Sequence, residues 1–354
     1  MLRYVWTSLS VVSAFVAIER AIPFDDSPIV TTVSSTMRTS EDHIRQLAFD
    51  GDATTYFASD GDASPDDSFT LILDEPVTAK VISVISGHDD GKDRLNSGAL
   101  EVSADGVVFE AAAAFSEGKA RAETNGRNVR AIRIKPGDGP KHPLVVREIT
   151  IEADRAVATF AYPVEFTVDV ADAPEMQEWA DDVARLCERW YPRINEELKS
   201  DGFTPARQIT MALKSDYNGV AEAGGRRITG SVKFFKDHPD DKGAMVHETT
   251  HIVQRYRGGG NPGWLVEGVA DYIRFFVYEP GKIGRLNPDR VKYNDSYRTS
   301  AAFLAYLTDQ YDKQIVNKLN ALMRSGKYRE DVFQEITGKT LQELGEEWRK
   351  SLRN

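Results

Sequence analysis

Cysteine is nearly missing from this chain: Cys187 is the only one in 354 residues. A single thiol excludes an internal disulfide and any cysteine-based metal site. Its neighbours at helical spacing, Val183, Leu186 and Trp190, mark it as a small core residue. Positive charge is also in short supply. Asp and Glu number 55 against 44 Lys and Arg, a formal net charge of -11. An acidic surface repels phosphate backbones and anionic lipid, so nucleic acid is not an expected partner. No internal repeat and no stretch of disordered composition is present. Long hydrophobic runs are lacking too. The most apolar segment, Tyr4–Ile18, is shorter than the ~20 residues that a spanning helix needs. With Arg3 as its only preceding charge, it reads as the apolar part of an export signal. Residues 1–21 are therefore expected to be a signal peptide, and the chain to be secreted, periplasmic or extracellular. Cleavage after Ala21 would place Glu19 where a small residue is preferred. A short uncleaved anchor is the alternative, and only then is a stable membrane partner expected.

The length suffices for two domains, and 41% apolar with 28% charged residues is an ordinary globular balance. Residues 22–36 are polar and contain proline, as a linker would. Residues 37–155 carry a β pattern of short apolar or alternating runs: Phe69–Leu73, Lys80–Ser86, Ala99–Ser103, Val129–Ile134 and Val145–Ile151. Asp105-Gly106 signals a hairpin turn. Strands at this spacing predict a β-sandwich or jelly roll. The pattern changes between residues 153 and 160. Over 160–354 it predicts a strand at Tyr162–Val170, a long helix at Pro174–Leu198, a strand at Gln208–Leu213, a turn at Gly224-Gly225 and a strand at Arg227–Phe235. Helix follows to the end, so the second domain is α+β.

One constellation in that domain carries chemistry. His247, Glu248, Thr249, Thr250 and His251 form His-Glu-x-x-His. On a helix, residues four apart share a face, so two imidazoles converge on one ion, and Zn²⁺ suits imidazole nitrogen. Glu248 then sits beside the ion, placed to take a proton from its water. Arg255, Arg257 and Gly258-Gly259-Gly260 mark the end of that helix. A catalytic zinc needs a third protein ligand and one open position. A second helix starting at Asn261-Pro262 and doubling back would supply Glu267, sixteen residues after His251. Asp271, four residues further on the same face, can accept the remaining N–H of a ligating histidine. An isolated His-Glu-x-x-His can be an ordinary solvated helix face. The glycine break and the second helix bearing Glu267 and Asp271 favour a metal site.

Residues 160–354 resemble the plant basic secretory proteins and their bacterial relatives, a metallopeptidase family, through VHETTHIVQ, GWLVEGVADYIRF, SYRTSAAFLAYL and ITGKTLQELGEEW. The segment WLVEGVADY is also similar to the Trp-Leu-x-Glu-Gly segment of gluzincin aminopeptidases, and Glu-x-x-x-Asp to thermolysin-like enzymes. The resemblance implies a zincin-like domain that hydrolyses peptide bonds, with Glu267 as third zinc ligand and Asp271 behind a ligating histidine. It also implies that a tyrosine at a helix start steadies the oxyanion. Tyr297 matches that position, with Tyr293 as second choice. Related peptidases lay an extended substrate against an edge strand, which points to Arg226–Phe235. The loop Tyr278–Asp295 is expected to shape the cleft, and His238 to be a surface loop residue. One departure stands out, since the plant proteins are basic and this chain is acidic.

Residues 37–155 resemble a discoidin (coagulation factor 5/8 C-type) module, close to one class of carbohydrate-binding modules, through LAFDGDATTYFAS, EVSADGVVFE, NVRAIRIKP and VREITIE, with Tyr56 where tryptophan is usual. Such modules often hold Ca²⁺, a cation suited to hard oxygen ligands, and the resemblance offers Asp50, Asp52, Thr55 and Glu148. It implies a glycan or glycoprotein partner, with lipid and protein open. His88 and His142 are expected to be exposed loop residues. The whole reads as a secreted zinc peptidase acting on peptide or protein, with an N-terminal binding module. The alternative is a non-catalytic surface- or glycan-binding protein with a structural or inactive zinc domain.

Overall fold

A computed structural model describes residues 28–139, 141–256, 260–295 and 297–353. The expected signal segment, residues 22–27 of the expected linker, and Arg257, Gly258 and Gly259 lie outside the described residues. Among the described residues no helix is long and apolar enough to cross a membrane.

The N-terminal unit is a β-sandwich of seven strands: β1 (Thr31–Ser35), β2 (Phe57–Asp62), β3 (Phe69–Ser86), β4 (Gly98–Ser103), β5 (Glu110–Ala114), β6 (Lys119–Pro136) and β7 (Pro143–Ala153). The order is β2-β7-β3-β6-β4-β5, with β1 also on β3. Two of the predicted runs, Phe69–Leu73 and Lys80–Ser86, belong to one long strand. Its first part pairs with β1 and its last part with β7. Irregularities in its pairing with β6 fall between Ile72 and Val77 and between Ala79 and Val81, where bulges bend a strand. The period-2 pattern points Phe69, Leu71, Leu73, Ile82 and Val84 inward.

The expected linker needs correction. Thr31 to Ser35 is a paired strand with alternating burial, and Ile29 and Val33 are core residues. Thr32 and Ser34 fill the more exposed positions and Thr31 is itself buried, so Val33 is the only apolar residue of the strand and the alternation is masked. At the other end the unit continues to Phe160, which packs edge-on against Phe49.

The C-terminal unit has a four-stranded sheet of β8 (Glu165–Asp169), β9 (Gln208–Lys214), β10 (Ala221–Gly224) and β11 (Arg227–Ser231), ordered β10-β11-β9-β8. Strands β8, β9 and β11 run parallel, while β10 is antiparallel at the edge. Helix α1 (Gln177–Glu197) covers the sheet through Val183, Ala184, Cys187 and Ile194, with Cys187 fully buried as expected. The strand predicted over Arg227–Phe235 stops at Ser231. That hydroxyl accepts from the Phe234 amide and caps α2 (Val232–Asp237). Because β10 pairs along its outer side, β11 is an inner strand, and the edge strand on this side of the sheet is β10, not Arg226–Phe235. The remaining helices are α3 (Gly243–Gln254), α4 (Gly263–Tyr272), α5 (Tyr297–Gln310), α6 (Ile315–Arg324), α7 (Val332–Thr337) and α8 (Leu341–Ser351). Past its last residue α4 continues as a wider π-turn, Ile273–Tyr278.

The two units meet through charge. Arg45, in the turn of helix Arg45–Phe49, lies 3.4 Å from Glu165 and 3.3 Å from Glu188. Glu188 also pairs with Arg185 at 2.7 Å and accepts from the Phe166 amide at 2.8 Å. Thr39 donates to Glu165 at 2.7 Å, and Gln46 accepts from the Val164 amide. Burial pushes the Glu188 carboxyl up to about 7, against the pull of Arg185 and Arg45. Removing one partner of a buried ion pair leaves an uncompensated charge, which is where such networks matter energetically. Arg45→Met is therefore expected to lower the unfolding free energy by about 2–3 kcal/mol, and Glu188→Gln in that background to recover part of it. Urea unfolding of the three proteins measures this. A loss indistinguishable from zero would contradict the role given to Arg45.

Candidate metal centre

Helix α3 is buried almost throughout. Thr249 and Thr250, the two central residues of the motif, donate back to the Met245 and Val246 carbonyls, so neither leaves a polar group stranded. The helix ends at Gln254 because Arg255 turns left-handed, at φ 44°, and returns its amide to the His251 carbonyl. This is the αL stop usually made by glycine, and it comes before the glycine run. Arg324 of α6 holds the end in place. Its guanidinium donates to the carbonyls of Val253, Gln254 and Leu198 and lies on Phe203, 3.7 Å from the ring centre.

The chain then returns through α4, which presents Glu267 to α3. Gly268 lets this helix lie close to α5, since a Cβ there would come within 2.8 Å of Ser300 Cβ. His247 Nε2 and His251 Nε2 are 3.0 Å apart, and Glu267 Oε2 is 3.2 Å from the first and 3.3 Å from the second. Donors held at 2.0–2.1 Å by a tetrahedral zinc stand roughly 3.4 Å apart, so the spacing fits. The tautomers fit as well. Asp271 Oδ1 lies 2.6 Å from His247 Nδ1, and a carboxylate only accepts, so that nitrogen carries hydrogen. Gln254 Nε2 donates to the Val266 carbonyl, which turns its Oε1 toward His251 Nδ1 at 2.7 Å. Both Nε2 atoms are thereby left with lone pairs facing a carboxylate oxygen, a set of three acceptors that calls for a cation. The same demand shows in the acid–base balance. Burial would depress His247, but its bonds to Asp271 and Glu267 raise it to about 9. Glu267 falls to about 2, because the two histidines outweigh its burial. Among the described residues this trio is the cluster of histidine and carboxylate atoms able to hold a metal.

Around the trio opens a cleft of about 850 Å³. Val220–Ala223, including most of β10, forms one wall. Phe275 and Tyr297–Thr299 form part of the other. Glu248 lines the cleft next to His247 and is 8% exposed. Burial lifts its carboxyl above the usual range, against the pull of both histidines. Tyr297 sits at the cleft edge, half-exposed, its ring centre 6.1 Å from that of His247. The negative charge of Glu267, then burial, keeps its hydroxyl protonated above the usual tyrosine range. Its backbone is in the left-handed region at φ 32°, a strained conformation for a residue with a large side chain. Tyr293 is elsewhere. It packs between Trp264 and Phe303, and a Cβ on Gly345 would touch its ring. His238 is an exposed residue stacked on Phe234.

In the N-terminal unit, Asp50 accepts from Thr55 at 2.8 Å, and Asp52 is engaged by the hydroxyl and amide of Thr54. Glu148 is buried, with Oε2 lacking a hydrogen-bond partner, and burial together with Asp50 pushes it up to about 7. Asp50, Asp52 and Glu148 do not bring three oxygens within 4.8 Å of one another. His88 and His142 are not the exposed residues expected: both are half-buried, the first held 3.3 Å from Asp93 and the second against the Pro143 carbonyl.

Sequence reading missed Gln254 and Arg298. Gln254 was within reach, being three residues after His251 on the same helix, a spacing that faces the same side. Arg298 had no such signal, since it follows the matched Tyr297 without a motif of its own.

A helix bearing two histidines and a buried glutamate, answered by a carboxylate from the next helix inside an open cleft, defines a candidate metal centre with a candidate base beside it. A sequence profile described as "Peptidase of plants and bacteria" matches residues 146–348. The chain belongs to that peptidase family. No curated protein sequence matches it. Three solved carbohydrate-related modules are similar to part of it. The first module (CBM32-1) of a family 31 glycoside hydrolase from Clostridium perfringens is 18% identical, covering 37% of this chain and 96% of that one, with TM-score 0.31. The family 32 module of NanJ from C. perfringens, solved in complex with galactose, is 17% identical, covering 34% and 92%, with TM-score 0.30. The C-terminal domain of a chitobiase from Bacteroides fragilis is 15% identical, covering 36% and 95%, with TM-score 0.31.

Outer partners that fix a ligating imidazole typically change metal affinity 10- to 100-fold when removed. Gln254→Ala is expected to weaken zinc binding by about that factor while leaving the helical circular dichroism unchanged. Competition against a zinc-chelating dye measures it, and equal affinities would refute the orienting role.

Proposed function

We propose that this chain is an exported zinc-dependent peptidase, with His247, His251 and Glu267 holding the metal and Glu248 as general base. The carrying observation is the convergence of three acceptor atoms beside a buried Glu248 within a cleft. A zinc ion bound there supplies Lewis acidity and acidifies water. The substrate lies along β10, the free sheet edge, where main-chain groups offer an extended peptide a strand-like partner. Glu248 takes the proton of the attacking water. Its raised affinity for protons suits that step and the later transfer to the leaving amine. Tyr297, protonated at neutral pH, donates to the developing oxyanion. Asp271 and Gln254 keep both imidazoles in the ligating tautomer.

Casein or a peptide library, incubated with and without a chelator, tests the reading. Glu248→Gln is expected to retain stoichiometric zinc and lose at least about 10³-fold in kcat, and Tyr297→Phe to lose about 10²-fold. Unchanged turnover by the Glu248 variant would remove it from the mechanism. A wild-type protein that binds glycan and cleaves nothing would favour the non-catalytic alternative.

The N-terminal unit docks the enzyme on a surface glycan or glycoprotein in this reading, which rests on its discoidin-like sequence motifs. Calcium binding by Asp50, Asp52, Thr55 and Glu148 is part of the same proposal. The unpartnered Glu148 Oε2 supports it. Because the folded Glu148 holds its proton up to about 7, calcium must displace it, and affinity is expected to rise as pH increases through that value. Melting with and without millimolar Ca²⁺ at pH 5.5 and pH 8 checks this. A calcium-induced stabilisation should appear at the higher pH and vanish in Glu148→Gln. Its absence from the wild type would remove calcium from the account.

A further inference from the structure

Beyond the metal, the two walls of the cleft differ in charge. Glu222 stands on β10 and is exposed. Facing the cleft from the opposite wall are two arginines that share one aromatic ring. Arg274 lies 4.7 Å and Arg298 4.9 Å from the centre of Phe275. Their situations are unlike. Arg274 is neutralised by two carboxylates, those of Asp241 and Glu279. Arg298 is exposed, and among the described residues no carboxylate lies within ion-pair distance of it. Helix stability does not account for a cation here. Arg298 is the second residue of α5, whose first turn has no acidic residue, and a positive charge at that end opposes the helix dipole. The Arg298 guanidinium carbon sits 4.9 Å from the Phe275 ring centre, and among the described residues its N–H donors have no partner, which leaves the fork with which arginine takes a carboxylate bidentately free.

We infer that Arg298 is a specificity-determining residue that receives a substrate carboxylate on the α5 side of the cleft. This deepens the peptidase reading and rests on it. The Phe275–Arg298 pair selects peptides carrying an anionic group on that side, while Glu222 disfavours the same group on the β10 side. Two sources supply the chemistry, an Asp or Glu side chain or the free C-terminus of the peptide. Thr299, also lining the cleft, offers a hydroxyl to the same group.

Binding rather than turnover tests it, so that its failure is distinct from failure of the peptidase reading. The zinc-loaded Glu248→Gln chain is titrated with acetylated hexa-alanine amide, with six single-glutamate versions of it and with the free acid. Fluorescence or calorimetry gives Kd. At least one carboxylate-bearing peptide is expected to bind about tenfold tighter than the neutral amide, as a charge-assisted pair at a partly exposed site would. If a glutamate position gives the gain, the side chain is the source, and if the free acid does, the C-terminus is. In Arg298→Gln the gain should disappear while the neutral amide keeps its affinity, and Arg298→Lys should restore only part of it. Equal affinity for neutral and anionic peptides, or a preference that survives Arg298→Gln, would overturn the inference. Cleavage by the wild type is scored separately on the same peptides.

Discussion

Three acceptor atoms forced into one small volume set the terms for the C-terminal unit. Two imidazole nitrogens and a carboxylate oxygen stand 3.0–3.3 Å apart, with Asp271 and Gln254 on the two Nδ1 atoms, so that the three inner atoms can share only a proton on His247 or a metal ion. Such a cluster is repulsive unless a proton or a metal cation occupies it. The surrounding fold is arranged to hold it anyway. Arg324 fastens the end of α3, and Gly268 admits α5 against α4. Gly230 plays a similar part under α3, where a Cβ would collide with Met245. The strain at Tyr297 belongs to the same region, as backbone strain often does near working sites.

The junction between the units follows a different rule. It includes a network of charges, with Glu165 and Glu188 buried and Arg45 and Arg185 partly buried. Burying charge gains little net stability compared with apolar packing, but Arg45 loses its compensation if the units shift. The placement of the N-terminal unit is therefore tied to particular hydrogen bonds. Each unit also keeps its own apolar core.

Much of this was legible in the sequence. The His-Glu-x-x-His spacing needs only helical periodicity to place both imidazoles on one face, and Glu267 with Asp271 needs only the same rule on the next helix. The β pattern of the first half came from period-2 alternation. Where reading failed, the deciding information was not periodic. Thr31–Ser35 looked like a linker because even its buried Thr31 is polar, and its strand character is revealed by pairing with β3. Arg227–Phe235 looked like one strand because Val232, Phe234 and Phe235 are good strand formers, yet Ser231 caps a helix instead. The edge belongs to β10, which pairs outside β11 and whose small residues Ala221, Ala223 and Gly224 give little pattern. The opposite fates of Arg274 and Arg298 depend on the tertiary course of the chain, which brings Asp241 and, past the π-turn, Glu279 to the first and, among the described residues, no carboxylate to the second.

The central claim is that this cluster holds one zinc ion through His247, His251 and Glu267. Metal analysis of the purified chain joined to zinc X-ray absorption tests it most directly. The account predicts one zinc per chain, bound by two imidazoles with the remaining ligands oxygen, no sulfur in the shell, and loss of the metal in His251→Ala. A chain purified without stoichiometric metal that takes up none on zinc addition, or zinc retained undiminished in that variant, would contradict it.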